Sequence, residues 1–172
     1  MKINSESRIS HPLSAVYSVY RDRLPEVVAF LPDIKEIRVE SRQQTPAGLK
    51  LHNRWIADRE IPRMVQSFVK PHMLHWNDYA EWDDASARCD WVLQIPAFPD
   101  NVAASGRTAL FADGNNTRVV LTGELEINPN FPALPKLLAR RLAPQLEKFI
   151  VMLITPNLER VNHAIGDFLD AQ

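Results

Sequence analysis

Two polar residues occupy positions that the sequence pattern otherwise reserves for apolar side chains. Asp78 alternates with Trp76 and Ala80, and Asn53 stands two residues before Trp55. Because burying a carboxylate without partners is costly, a residue such as Asp78 normally has a hydrogen-bonding role. One interpretation is a polar anchor inside an apolar cavity, which orients the head group of a ligand or acts as an acid or base. The alternative is a bulge or register shift that places Asp78 in water.

The chain also contains one His-x-x-His motif and one cysteine. His72 and His75 fall where a loop passes into a strand, and no third ligand stands at a clear spacing, although His52 and Cys89 could approach. We therefore expect surface histidines and no metal site. Small and apolar neighbours raise the pKa of a thiol, so we expect Cys89 to be inert. We identify no catalytic residue and expect no cofactor, because no G-x-S-x-G, Walker A or G-x-G-x-x-G motif occurs.

A sheet must position these residues, because the chain alternates with period two over 73–127. Four successive apolar runs are each opposed by a wetter face, which is typical of half-buried antiparallel strands. Turn residues at 83–86 and 113–116 join the first pair and the last pair of these runs. The sequence therefore predicts a four-stranded meander.

The rest of the chain predicts three more strands and several helices. We expect a strand at 2–10, a helix at 12–20 with Ser10 or His11 near its cap, and a short second helix at 25–30. Two strands are expected at 34–43 and 49–57, and an amphipathic helix at 61–69. From about Pro135 the chain reads as helical to its end. Pro144 and Pro156 lack a backbone donor, so we expect this helix to bend or break within about one turn of each.

The inner face of the predicted sheet combines small residues with tryptophans. Its middle rows hold Ala80, Cys89, Ala104, Gly106, Thr108 and Gly123. Since protein interiors are close-packed, these rows are either covered by a closely approaching helix or leave a cavity. We expect a cavity lined by Trp55, Trp76 and Trp91, because their phases match those of the small residues.

The totals of the sequence exclude several classes. A length of 172 residues with no composition break predicts a single domain over 1–172. The net charge of −1 lacks the electrostatic drive for nucleic-acid binding. One cysteine, a polar N-terminus and no long apolar run indicate a protein of the reducing cytoplasm.

A set of short matches, in a fixed order and spacing, relates the chain to a known superfamily. They are Ile61-Pro62 with Phe68-Val69, Glu81-Trp82-Asp83, Gly106, Asp113-Gly114 followed by Thr117-Arg118, and Gly123-Glu124. Over nearly its whole length the chain resembles the START-like (SRPBCC, Bet v 1-like) superfamily, and within it the uncharacterised bacterial family DUF2505. The resemblance implies an α+β helix-grip fold. In it, a curved antiparallel sheet of about six to seven strands wraps around a long C-terminal helix, and short helices follow the first strand.

The resemblance also implies a hydrophobic tunnel between sheet and helix, which in relatives holds lipids, sterols, polyketides or other apolar molecules. We therefore expect binding, transport or sensing of a hydrophobic small molecule. The expected ligand-binding residues are Asn53, Trp55, Trp76, Asp78, Trp91, Ala104, Thr108, Leu121, Phe149 and Leu153. One alternative is a cofactor-free enzyme of the polyketide cyclase/aromatase or hydrolase kind, which would pair Asp78 with His75 or Tyr79 from the opposite strand face. A second is a structural or chaperone-partner module with a filled core.

A basic cluster near the start of the closing helix is the remaining feature. Lys136, Arg140, Arg141 and Lys148 surround apolar residues, so this segment could touch an anionic membrane while a ligand enters. A solvated helix face explains the same pattern. The sequence leaves the oligomeric state open.

Overall fold

The alternating segments form seven strands of one antiparallel sheet in the computed structural model, which describes residues 1–172. The strands are β1 (Lys2–Ile9), β2 (Ile34–Gln44), β3 (Gly48–Ala57), β4 (His75–Asp83), β5 (Arg88–Gln94), β6 (Val102–Asp113) and β7 (Asn116–Ile127). Their order across the open sheet is β1-β7-β6-β5-β4-β3-β2. The predicted meander is therefore confirmed, and the first strand closes onto the last.

The predicted pair of short helices after β1 is confirmed. Helix α1 spans Leu13–Asp22, and a 3₁₀ helix spans Leu24–Phe30. The N-cap of α1 is Pro12, directly after His11, and no side chain caps the helix. The Pro12 carbonyl instead accepts the amides of Ala15 and Val16.

The amphipathic helix expected at 61–69 is wrong. This segment forms a series of turns, with amide-to-carbonyl bonds from Val65 to Pro62 and from Val69 to Val65, and a short 3₁₀ helix, Pro71–Met73, follows. The helix-like spacing of its apolar residues still places Val65 and Val69 in the core, where both are buried. So short a segment between two prolines cannot offset the cost of helix nucleation.

The long C-terminal helix α2 spans Ala139–Asp170. It begins after the expected start at Pro135, because residues 132–138 form turns. The helix continues through both Pro144 and Pro156, so the expected break does not occur at either proline. No helix of the chain is both long and apolar enough to cross a membrane.

Helix α2 and the inner face of the sheet share one core. Forty-five buried hydrophobic residues form a single cluster, to which both helices and every strand contribute. Along α2, Leu146, Ile150 and Ile165 are almost completely buried. The predicted helix-grip arrangement, a curved sheet packed on one face by the last helix, is confirmed.

Candidate functional site

An enclosed cavity lies between α2 and the inner face of the sheet. It has a volume of about 60 Å³, and 13 of its 17 lining residues are hydrophobic. The walls come from the end of α1, from the inner faces of β3 to β7 and from one face of α2. A larger hollow of about 910 Å³ lies on the outer face of the sheet, but it is open to solvent, and only 5 of its 19 lining residues are hydrophobic. We therefore place the candidate site inside.

Most of the residues that the sequence suggested meet at this cavity. Those that line it are Asn53, Trp55, Trp76, Asp78, Trp91, Thr108 and Leu121. Ala104, Phe149 and Leu153 do not line it, although each is buried in the core. Their strand and helix phases were correct, but they lie at other levels along the sheet and the helix.

Asp78 is the only carboxylate at the cavity. It lies directly opposite Asn53 across β3 and β4 and is only 9% exposed, so the alternative that a bulge places it in water is wrong. Its Oδ2 accepts hydrogen bonds from Asn53 Nδ2 at 3.4 Å and from Trp55 Nε1 at 3.3 Å. Burial raises the pKa of Asp78 from 3.8 to about 6, and these two hydrogen bonds oppose that rise.

All four tryptophans of the chain line the cavity: Trp55, Trp76, Trp82 and Trp91. The rings of Trp55 and Trp76 stack with centroids 5.7 Å apart. Four large aromatic side chains around so small a volume make the walls apolar and rigid. All tryptophan fluorescence of the protein therefore comes from the walls of the cavity.

The expectation that Gly106 and Gly123 leave open volume is wrong, because Trp91 fills it. A Cβ atom added to Gly106 would lie 2.3 Å from the Trp91 ring, and one added to Gly123 would lie 2.8 Å from it. The indole of Trp91, on β5, therefore packs against Gly106 on the adjacent β6 and against Gly123 on β7. What remains is the cavity of about 60 Å³.

The sequence analysis chose Phe149 and Leu153 from the closing helix and missed the helical residues that line the cavity. Tyr20 and Leu24 approach from one end, while Ile154, Asn157, Leu158 and Val161 approach from α2. Asn157 carried a usable signal. It stands four residues after Leu153 and four before Val161, inside an apolar helical stripe, and it is only 3% exposed.

The other candidate groups do not form a reactive cluster. No three His, Cys, Asp or Glu side chains are placed to share a metal ion. His75 bonds to Arg54 and to the His72 carbonyl, and Tyr79 is exposed on the outer face. Burial raises the pKa of the Cys89 thiol well above its ordinary value, so this cysteine stays protonated.

Comparisons with known proteins agree with this architecture. The family model described as "Protein of unknown function (DUF2505)" matches residues 4–155. No curated protein matches the chain by sequence.

Solved structures share the fold at low identity. The protein TTHA0849 from Thermus thermophilus has a TM-score of 0.69 at 22% identity, over 99% of this chain and 98% of the other. The ZhuI aromatase/cyclase from Streptomyces has a TM-score of 0.70 at 15% identity, over 99% and 93%. A START superfamily protein from Mycobacterium smegmatis has a TM-score of 0.51 at 13% identity, over 93% and 98%. At these identities the likeness shows the fold alone.

Proposed function

Because this chain belongs to the DUF2505 family and has the START-like helix-grip fold, we propose that it binds a hydrophobic small molecule inside the cavity under α2. The observation that carries the proposal is the buried Asp78 carboxylate, which lies among four tryptophans and other apolar side chains. Apolar pockets with a few convergent polar groups are the usual sites for small molecules.

Binding requires the cavity to grow. At about 60 Å³ the cavity is smaller than the roughly 300–1,000 Å³ typical of small-molecule pockets, so a ligand of that size must move one of the walls. The sheet side is held by strand-to-strand hydrogen bonds on both edges of β3 to β7. The α2 side is held by side-chain packing and a few polar contacts. We therefore expect α2 to move away from the sheet as the ligand enters.

The direct test uses the uncharged probe N-phenyl-1-naphthylamine, excited by energy transfer from the tryptophans. Binding should give transferred emission that Leu158→Phe reduces, because Leu158 lines the cavity. Val151→Phe is the matched control, since Val151 is also half-buried on α2 but lies outside the cavity. If the folded parent protein gives no transferred emission, the core is filled and the structural-module alternative takes the place of this proposal.

The enzyme alternative has less support in this geometry. Its suggested partners for Asp78, His75 and Tyr79, are on the other face of β4. Inside the cavity, Tyr20 and Cys89 are the other titratable groups, and burial raises the pKa of each. Only Asp78 exchanges a proton near neutral pH. One solved neighbour is described as an aromatase/cyclase, and turnover abolished by Asp78→Asn would favour this alternative.

We also propose that the segment before α2 makes transient contact with an anionic membrane. Leu137 is 97% exposed and Leu138 is 45% exposed, and the exposed cations Lys136, Arg140 and Arg141 flank them. No acidic residue occurs from 128 to 146. Cations near an anionic surface contribute about 1 kcal/mol each, and an inserted leucine adds to this.

Vesicle sedimentation tests the membrane contact. We expect binding to vesicles of phosphatidylcholine mixed with phosphatidylglycerol, lost in Arg140→Glu/Arg141→Glu and reduced in Leu137→Ser. Lys50→Glu, a charge reversal on the outer sheet face, should leave binding unchanged. Equal binding of the parent protein to pure phosphatidylcholine, or no binding at all, would contradict the proposal.

A further inference from the structure

We propose that the polar end of the ligand is a hydroxyl group, which donates to Asn157 Oδ1 and accepts from Trp91 Nε1. The cavity therefore selects alcohols or phenols over carboxylates and amines of the same size. This inference rests on the proposed function, because it names the chemical class of ligand for the same cavity.

Two buried polar atoms at the cavity lack a partner in the protein. They are Trp91 Nε1, which can only donate, and Asn157 Oδ1, which can only accept. Trp91 is 6% exposed and Asn157 is 3% exposed, and both side chains line the cavity. The Asn157 Nδ2 group is already engaged with the Leu153 carbonyl at 2.8 Å, which leaves Oδ1 for another donor. A buried polar atom without a partner is destabilising, so a ligand that pairs with both atoms gains on binding.

The charges of the site exclude an anionic head group. None of the 17 lining residues is Lys, Arg or His, so a carboxylate would enter without a counter-charge. It would also meet the Asp78 carboxylate, whose charge is stabilised only by the hydrogen bonds that Asn53 and Trp55 donate to Oδ2. Two like charges in an apolar interior repel strongly, because the effective dielectric constant there is low.

A cationic amine satisfies only part of the site. An ammonium group can donate to Asp78 and to Asn157, but it has no lone pair with which to accept from Trp91 Nε1. An ether has the reverse defect, because it accepts but cannot donate. A hydroxyl group does both, since it donates one hydrogen bond and accepts others. The two unpaired atoms, one acceptor and one donor, therefore suit a single hydroxyl group.

The experiment compares ligands with one chain and different ends. Decanol, decanoate, decylammonium and a nonyl methyl ether compete at neutral pH against bound N-phenyl-1-naphthylamine. We expect decanol to compete at least about tenfold more strongly than each of the others, the difference that one hydrogen bond of about 1.4 kcal/mol produces. Decanoate should be the weakest of the four.

Two variants assign the preference to the named atoms. Trp91→Phe removes the donor and should reduce the preference for decanol over decylammonium several-fold, because only decanol can accept from Trp91 Nε1. Asn157→Leu removes the acceptor and should reduce the preference for decanol over the ether several-fold, because only decanol can donate to Asn157 Oδ1. Trp76→Phe is the matched control, because it removes an indole from the same cavity but leaves both unpaired atoms in place.

The outcomes separate this inference from the proposed function. If the probe binds and decanoate or decylammonium competes as strongly as decanol, the cavity takes a ligand but the hydroxyl assignment is wrong. If Trp76→Phe changes the preference as much as Trp91→Phe does, general loss of packing explains it and the assignment is again wrong. If the folded protein binds no probe, the proposed function fails, and this inference fails with it.

Discussion

Asp78, in the wall of the cavity, makes the stability of the protein depend on pH. Burial raises its pKa from 3.8 to about 6, so the folded protein keeps this proton to a higher pH than the unfolded chain does. Where the folded state binds more protons, stability falls as pH rises. The contribution of Asp78 is therefore complete below about pH 4 and is lost as the pH rises through about 6.

We predict that Asp78→Asn removes this pH dependence. The amide keeps an oxygen that can accept from Asn53 and Trp55 but carries no charge to desolvate. The free energy of unfolding should rise by about 2–3 kcal/mol near pH 7, in line with a shift of about two pKa units, and should change little at pH 4. Urea unfolding across this pH range measures the effect.

Asp100→Asn is the matched control for this prediction. Asp100 is exposed, so the same chemical change there should leave the pH dependence of stability as it is in the parent protein. If the difference in stability between Asp78→Asn and the parent protein did not grow between about pH 4 and pH 6, Asp78 would be better solvated or better paired than its surroundings indicate.

At the scale of elements, α2 remains one helix through Pro156 because a side chain from another element replaces the missing hydrogen bond. Proline at this position cannot donate to the Met152 carbonyl one turn earlier. Arg59, in the segment between β3 and β4, donates to that carbonyl at 2.6 Å. Asp33 lies 3.7 Å from Arg59 and also pairs with Arg160 of α2. These contacts tie the loop to the helix beside the cavity.

We predict that Arg59→Ala destabilises the protein by about 1 kcal/mol, the usual net worth of one hydrogen bond that water can partly replace. Arg63→Ala, at an exposed arginine of the same segment, should change stability by less than about 0.5 kcal/mol. Thermal and urea unfolding measure both changes.

A double-mutant cycle with Pro156→Ala tests the physical reason. Alanine restores the backbone donor to the Met152 carbonyl, so Arg59→Ala should cost clearly less in that background. Strictly additive effects would mean that Arg59 stabilises the fold only through Asp33 and has no part in supporting the helix.

For the whole molecule, the single cluster of 45 buried hydrophobic residues predicts one cooperative unit, and hence the single domain expected for 1–172. Tryptophan fluorescence reports on the cavity, because every tryptophan lines it, whereas far-ultraviolet circular dichroism reports mainly on α2. We predict that the two signals give coincident urea transitions. A dichroism transition that precedes the fluorescence transition would show that α2 unfolds from an intact sheet.

The sequence alone determined which residues form strands and which face each side chain takes. Period-two alternation is a property of neighbours along the chain, so it placed Asn53, Trp55 and Asp78 on one inner face before any partner strand was known. The cost of burying a carboxylate then marked Asp78 as a residue that needs donors. The resemblance to the START-like superfamily then implied the helix-grip fold.

Only the tertiary structure decided how much space remains and which side chains meet in it. The indole of Trp91 covers Gly106 and Gly123 because strand register places these three residues side by side, although they are far apart in the chain. Asn157 joins the site because α2 packs over the sheet. The helix continues past Pro156 because Arg59, from another segment, donates to the Met152 carbonyl. Local periodicity carries no information about the distance between two segments, and cavity volume depends on that distance and on the side chains that fill it.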